Sequence, residues 1–260
     1  MDNEKIKISV IMPALNEEKN ISDAVNNVLK SLDNFNIAGE LIVINDGSMD
    51  KTEGLVKAIM KNESRVSMVK HEKPKGIGAS FWDGVDKAKG DACIMMPGDN
   101  ENDLSEMLRY AGLMDSVDMV IPFTFNKQAR SVFRNIVSFF YKAIINAAFF
   151  TSLNYTNGTV MYRTVLLKAL EDKQSGFFFQ ADTLIKLIKT GYLFAEVPYG
   201  LGQRLKGRSK AISLKSLYNV VKGYLRLFIY VYFKSGKKRG VFLDGSISKK
   251  RYVEIEKRNE

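Results

Sequence analysis

Two polar stretches carry most of the chemistry available to this chain, Pro13-Ala-Leu-Asn-Glu-Glu18 and Asn45-Asp-Gly-Ser-Met-Asp50. A third, Pro97–Asp103, follows further on. Clustered carboxylates suit a ligand that donates hydrogen bonds, such as the imide of a base and the hydroxyls of a ribose. His71 is the only histidine and Cys93 the only cysteine among 260 residues. That excludes disulfide frameworks, thiolate clusters and zinc sites built on several imidazoles, and it weakens any Ser-His-Asp scheme. Carboxylates must therefore carry most of the catalysis. No G-x-x-x-x-G-K-[ST] run is present and no G-x-G-x-x-G follows the first strand; the isolated Gly76-Ile-Gly78 does not replace them. P-loop and dinucleotide-binding folds are disfavoured.

These loops need a frame that gathers them on one edge, and the hydrophobic pattern supplies it. Short β-rich apolar runs at Ile6–Met12, Leu41–Asn45, Val66–Lys70, Ala92–Met96 and Met119–Phe123 alternate with helical stretches near Asn20–Leu32, Lys51–Lys61, Ala79–Lys89 and Leu104–Met114. The alternation predicts an α/β fold with a mainly parallel sheet flanked by helices. Ligands bind such sheets beyond the carboxyl ends of the strands, where all three polar loops emerge. Cys93 falls inside a strand and is expected in the core, and Asp50 is placed to cap the second helix.

After about Phe123 the helices become longer and more aromatic: Arg130–Phe150, Thr164–Leu170 and Phe178–Thr190, then a short strand at Phe194–Val197. Leu217, Val220, Val221, Tyr224, Leu225, Phe228, Val231 and Tyr232 recur at helical spacing, with Lys215, Asn219, Lys222 and Arg226 on the other face. Such a helix either packs its apolar face on the domain or lies in a membrane interface. Residues 201–260 hold 16 Lys+Arg against 4 Asp+Glu, so the net charge of +10 belongs to this end. A basic block meets anionic membrane, phosphorylated ligands or nucleic acid. Nucleic acid is the weakest of these, since no binding motif accompanies the charge. No run reaches the length of an uncharged spanning helix, and no signal peptide is evident, so a cytoplasmic chain, peripheral on the cytoplasmic membrane face, is expected.

Six segments resemble the family 2 glycosyltransferases of the GT-A fold, and in particular the dolichol- or polyprenyl-phosphate mannose synthase group. They are Ile11–Glu18, Val43–Thr52, Lys75–Gly84, Met96–Glu101, Gly176–Leu184 with Gly191–Pro198, and Arg204–Lys210. The resemblance implies a GT-A-like nucleotide-diphospho-sugar transferase fold. A catalytic domain would span residues 1–210, with a nucleotide-binding half over 1–123 and an acceptor half over 124–210. A helical, basic, amphipathic extension would follow over 211–260.

By the same resemblance, Pro13, Ala14, Glu17, Asp46, Gly76, Gly98 and Asp99 surround the nucleotide-sugar. Asp99 falls on the last acid of the D-x-D motif and, with Glu101, would hold Mg²⁺ or Mn²⁺. Pro97 stands where the first aspartate is usual. Arg204 and Lys210 would stabilise the leaving diphosphate, the alternative being a solvated basic loop. Arg130 and Arg134 would bind an acceptor phosphate. Asp182 would be a general base towards a hydroxyl, or would orient substrate and cap its helix. Trp82 and Phe177–Phe179 either stack on sugars or fill the core.

The implied activity is inverting sugar transfer from a nucleoside diphosphate sugar, GDP- or UDP-linked, to a polyprenyl phosphate at an anionic membrane surface. The alternatives are transfer to a sugar hydroxyl in cell-surface polysaccharide synthesis and an inactive nucleotide-sugar-binding scaffold. Oligomeric state is not legible in the sequence.

Overall fold

The computed structural model describes residues 7–126, 132–176, 178–200, 214–234 and 240–259. Seven strands form one sheet: β1 (Ile8–Ala14), β2 (Gly39–Asn45), β3 (Val66–Lys70), β4 (Ala92–Met95), β5 (Met119–Thr124), β6 (Met161–Arg163) and β7 (Phe194–Tyr199). Their order is β3-β2-β1-β4-β6-β5-β7, and all pairings are parallel except those of β6 with β4 and β5. The expected sheet is present, with β6 as an antiparallel insertion that its three residues left invisible to periodicity. The helices are α1 (Ile21–Asn34), α2 (Thr52–Met60), α3 (Ile77–Lys87), α4 (Ser105–Leu108), α5 (Val132–Phe149), α6 (Thr164–Ala169), α7 (Phe179–Thr190), α8 (Leu214–Ile229) and α9 (Ile247–Asn259). The stretch Leu104–Met114 is not one helix but α4 followed by a 3₁₀ segment, Ala111–Asp115.

Both faces of the sheet are covered, because successive strand residues point to opposite sides. Ile8, Val10, Met12, Leu41, Val43 and Ile94 pack with α1, whose Ile21, Val25, Val28 and Leu32 recur at helical spacing. Ile11, Ile42, Ile44, Cys93 and Met95 pack on the other face with α3, α6 and α7. The thiol of Cys93, wholly buried and beside the Thr164 hydroxyl, is pushed up to about 11 by burial. The aromatic candidates Trp82, Phe178 and Phe179 fill this second core, which settles them as packing residues; Phe177 lies outside the described residues.

Beyond residue 210, α8 and α9 meet the sheet and its helices. Leu227 of α8 is in the core, and a Cβ on Gly223 would stand 2.8 Å from Phe178 Cβ and 2.8 Å from Gln174 Oε1. Further on, the carboxylate of Asp118, ahead of β5 and fully buried, accepts hydrogen bonds from the backbone N–H of Ile247 (2.7 Å) and Ser248 (3.0 Å). It also accepts one from the Ser248 hydroxyl. The start of α9 is thus held at the amino end of the sheet.

One stripe of α8 packs and another does not. Tyr218, Val221, Leu225, Ile229 and Phe233 are exposed, as are Val137, Phe140, Ile144 and Phe150 of α5 and its end. Phe149 joins the two helices, lying beside Tyr224, Phe228 and Tyr232 at ring-centre distances of 5.8–6.4 Å. The Tyr232 hydroxyl donates to the Ala148 carbonyl. Among the described residues no helix is long and apolar enough to cross a membrane.

Candidate active site

The loops after β1 and β2 are laced into one surface. Asn16, at a left-handed φ of 57°, donates its backbone N–H to Ser48 Oγ and accepts the Met49 N–H on its side-chain oxygen. Glu17 N–H donates to Thr52 Oγ1 (2.9 Å), and Glu18 N–H to Asp50 Oδ2 (3.0 Å). Asp50 sits one residue before the N-cap of α2, accepts the Thr52 N–H and so ties the helix start to the first loop. Its carboxyl is partly desolvated, yet the Thr52 and Glu18 hydrogen bonds hold it below its ordinary value. The Glu17 carboxylate takes the Asn20 amide (2.8 Å).

Pro13 and Ala14 are the last residues of β1, paired with Ile44 and Asn45. Gly98 donates its N–H to Pro13 O (3.0 Å), and a Cβ there would press on Ala14 Cβ at 3.1 Å. Pro13, Ala14, Glu17, Asp46 and Gly98 therefore share one rim.

Asp46 is more constrained than its motif suggests. Only 4% exposed, its Oδ1 meets His71 Nδ1 (2.7 Å) and accepts the Lys75 N–H (2.8 Å), while Oδ2 accepts the Gly76 N–H (2.9 Å). A carboxylate offers about four acceptor positions, and three of those of Asp46 are taken within the protein. Asp46 is first an anchor for the loop 73–76. Burial pushes its carboxyl up, but the His71 bond, the two backbone amides and the imidazole charge outweigh this and hold it below its ordinary value. Gly76 has φ 95° and precedes α3 with open space at its Cβ position. His71 and its second partner, Asp83 Oδ2 (2.7 Å), were not among the residues expected here. The position of His71, directly after β3 on the ligand edge, was the available signal.

Asp99 and Glu101 follow β4 on the same edge, with Asp99 Oδ1 accepting the Glu101 N–H at 3.2 Å. Asn100 between them is left-handed (φ 59°) and its side-chain oxygen accepts the Asn27 amide of α1. No group of three or more acidic, cysteine or histidine side chains able to hold a metal occurs among the described residues. Two adjacent hard carboxylates still fit Mg²⁺ or Mn²⁺ where diphosphate oxygens and water complete the shell. The end of β7 is docked here too: Tyr199 Oη accepts the Asp103 N–H, and Gly200 N–H donates to Glu106 Oε2.

Asp182 does not join this rim. It is wholly buried in α7, its Oδ1 accepts the Gln174 amide (2.7 Å), and its Oδ2 lies 2.8 Å from Lys186 Nζ. Burial pushes its carboxyl up despite Lys186 and Gln174. It does not cap α7, whose N-cap Phe178 makes no side-chain bond. Arg130, Arg204 and Lys210 lie outside the described residues, and Arg134 falls in α5 with its side chain outside them.

The chain is similar to CsbB, a glycosyltransferase by name, of Bacillus subtilis (strain 168), at 30% identity over 54% of this chain and 43% of that protein. It is 22% identical to dolichyl-phosphate beta-glucosyltransferase of Dictyostelium discoideum, over 72% of this chain and 58% of that one. It is 23% identical to dolichol-phosphate mannosyltransferase of Pyrococcus furiosus, over 85% and 64%. The chain thus spans roughly half of the length of the curated relatives it matches. Among solved structures, glucosyl-3-phosphoglycerate synthase from Mycobacterium tuberculosis with Mg²⁺ and UDP shares the fold, with a TM-score of 0.62 at 20% identity, covering 85% of this chain and 79% of that one. The model of glycosyl transferase family 2 matches residues 9–171, from β1 through the Asp46 and Asp99 loops to the end of α6, and the chain belongs to that family.

Proposed function

We propose that this chain transfers a sugar, with inversion, from a nucleoside diphosphate sugar to a polyprenyl phosphate at a membrane surface. The donor reading is supported by the rim of Pro13, Ala14, Glu17, Asp46, Gly76 and Gly98. Asp99 and Glu101 would hold Mg²⁺ or Mn²⁺, which supplies charge stabilisation to the departing diphosphate. Arg204 and Lys210 follow Gly200, itself pinned beside the Asp99 loop, and would add cationic stabilisation. Arg130 and Arg134 would take the acceptor phosphate. Such a phosphate is largely ionised near neutral pH, its second pKa being about 6, so it needs no base, in keeping with the burial of Asp182.

The observation that carries the acceptor class is the exposed apolar face shared by α5 and α8. Aromatic and aliphatic side chains beside basic residues suit a lipid surface. Two relatives are named for dolichyl phosphate acceptors, which supports the same reading. A soluble phosphorylated acceptor is the second reading, favoured by the likeness to a phosphoglycerate-glucosylating structure.

The test uses purified chain, Mn²⁺ and radiolabelled UDP-glucose or GDP-mannose, offered polyprenyl phosphate in detergent or 3-phosphoglycerate. Label in the organic phase is expected. Label only in a water-soluble phosphoglycerate product would establish the second reading, and no transfer from any donor would overturn both.

A further inference from the structure

Acidic residues are missing from the two stretches of sequence that contain α5 and α8. No Asp or Glu occurs between residues 119 and 170 or between residues 197 and 243, although the chain holds 29. The same stretches carry 6 and 11 Lys+Arg. The exposed apolar face shared by these helices is therefore bordered by one sign of charge only. Successive helical residues turn by about 100°, which puts Lys142, itself half-buried, between the exposed Phe139 and the buried Ile145. On α8, Lys222 is exposed and lies between the stripe of Val221, Leu225 and Ile229 and the position of Arg226. Arg226 is paired with Asp172, whereas among the described residues no carboxylate pairs with Lys142 or Lys222.

A lysine at such a border lays its methylene stem along apolar surface and carries its ammonium to the polar level of a bilayer. Its donors then need an anion, and a phosphate just above the acyl chains supplies one. Resting on the membrane-acceptor reading above, we propose that Lys142 and Lys222 are head-group sites that bind the phosphates of anionic phospholipids and make transfer in a bilayer depend on anionic lipid. A zwitterionic head group brings its own cation to its phosphate and competes with the lysine, whereas phosphatidylglycerol brings none. With the exposed apolar residues among the acyl chains and both ammonium groups at the phosphates, α5 and α8 lie along the surface. The helix α9 offers a contrast, since its exposed Lys250 and Lys257 are interleaved with Glu254 and Glu256 and it begins at the amino end of the sheet.

The full chain is mixed with vesicles of phosphatidylcholine, alone or with phosphatidylglycerol, and separated by flotation. Wild type is expected to partition onto the mixed vesicles and not onto phosphatidylcholine. Joint Lys142→Gln and Lys222→Gln is expected to weaken that partition about thirtyfold, the effect of two surface cations. Joint Lys142→Arg and Lys222→Arg keeps the charge and should retain it. Joint Lys250→Gln and Lys257→Gln removes the same charge from α9 and should leave partition unchanged. Transfer to polyprenyl phosphate in mixed vesicles, divided by transfer in detergent for the same form, should follow the same order. Equal partition of wild type onto both vesicle types, or equal losses in the two glutamine variants, would overturn the head-group sites. Vesicle transfer indifferent to phosphatidylglycerol would overturn the dependence on anionic lipid. No transfer in detergent by any form would instead overturn the acceptor reading, with flotation still deciding the sites.

Discussion

A carboxylate serves as a base only where a reacting proton can reach it. Asp182 occupies the expected place near the start of a helix but points into the core, where Lys186 and Gln174 engage it. Breaking a buried pair leaves an uncompensated charge, so Asp182→Asn is expected to lower stability by about 3–5 kcal/mol. Urea denaturation checks this, and transfer per folded molecule should survive. Lost transfer at unchanged stability would return Asp182 to the chemistry. The contrast with His71 marks where the sequence stops being informative about single residues. Its position after a strand was legible, but its partner Asp83 lies 12 residues away, across a loop and on a helix, where spacing gives no register.

At the scale of elements, the same helix can meet two environments. α8 reads as amphipathic with a single wide apolar face, which left packing and membrane contact as alternatives. The structure divides that face: Leu227 and Gly223 meet the core, while Val221, Leu225 and Ile229 do not. Joint replacement Phe140→Glu and Leu225→Glu acts on exposed positions of 60% and 54%, so stability should stay within about 0.5 kcal/mol. Flotation with anionic vesicles should be lost, and retention by the double variant would remove the lipid surface from the proposal.

The parallel strands were legible because two buried faces produce continuous apolar runs. β6 was not, since Met161–Arg163 is too short to show a period and owes its place to pairing with β4 and β5. α9 falls in the extension expected to be helical, but its bounds were not legible, because its 13 residues are mostly charged and exposed.

For the molecule as a whole, the C-terminal segment is part of what holds the sheet. A chain ending at residue 239 lacks Ile247 and Ser248 and strips the Asp118 carboxylate of their hydrogen bonds, leaving, among the described residues, Arg163 Nε at 3.7 Å. It is expected to lose about 3–5 kcal/mol, seen as a lower denaturation midpoint or insoluble expression. Equal stability would show the clamp to be dispensable. Vesicle binding by a chain deleted from residue 211 would therefore report folding as much as lipid affinity.

The same clamp sets an order of events during synthesis. Its hydrogen bonds join residues 129 and 130 positions apart. At about 5–20 residues per second, Asp118 leaves the ribosome many seconds before the groups that satisfy it. The half carrying β1–β4 can collect its parallel strands early, but the part carrying β5 waits for residues 247 and 248. Until then a nascent chain exposes an unfinished sheet, and dependence on chaperones should concentrate in that interval.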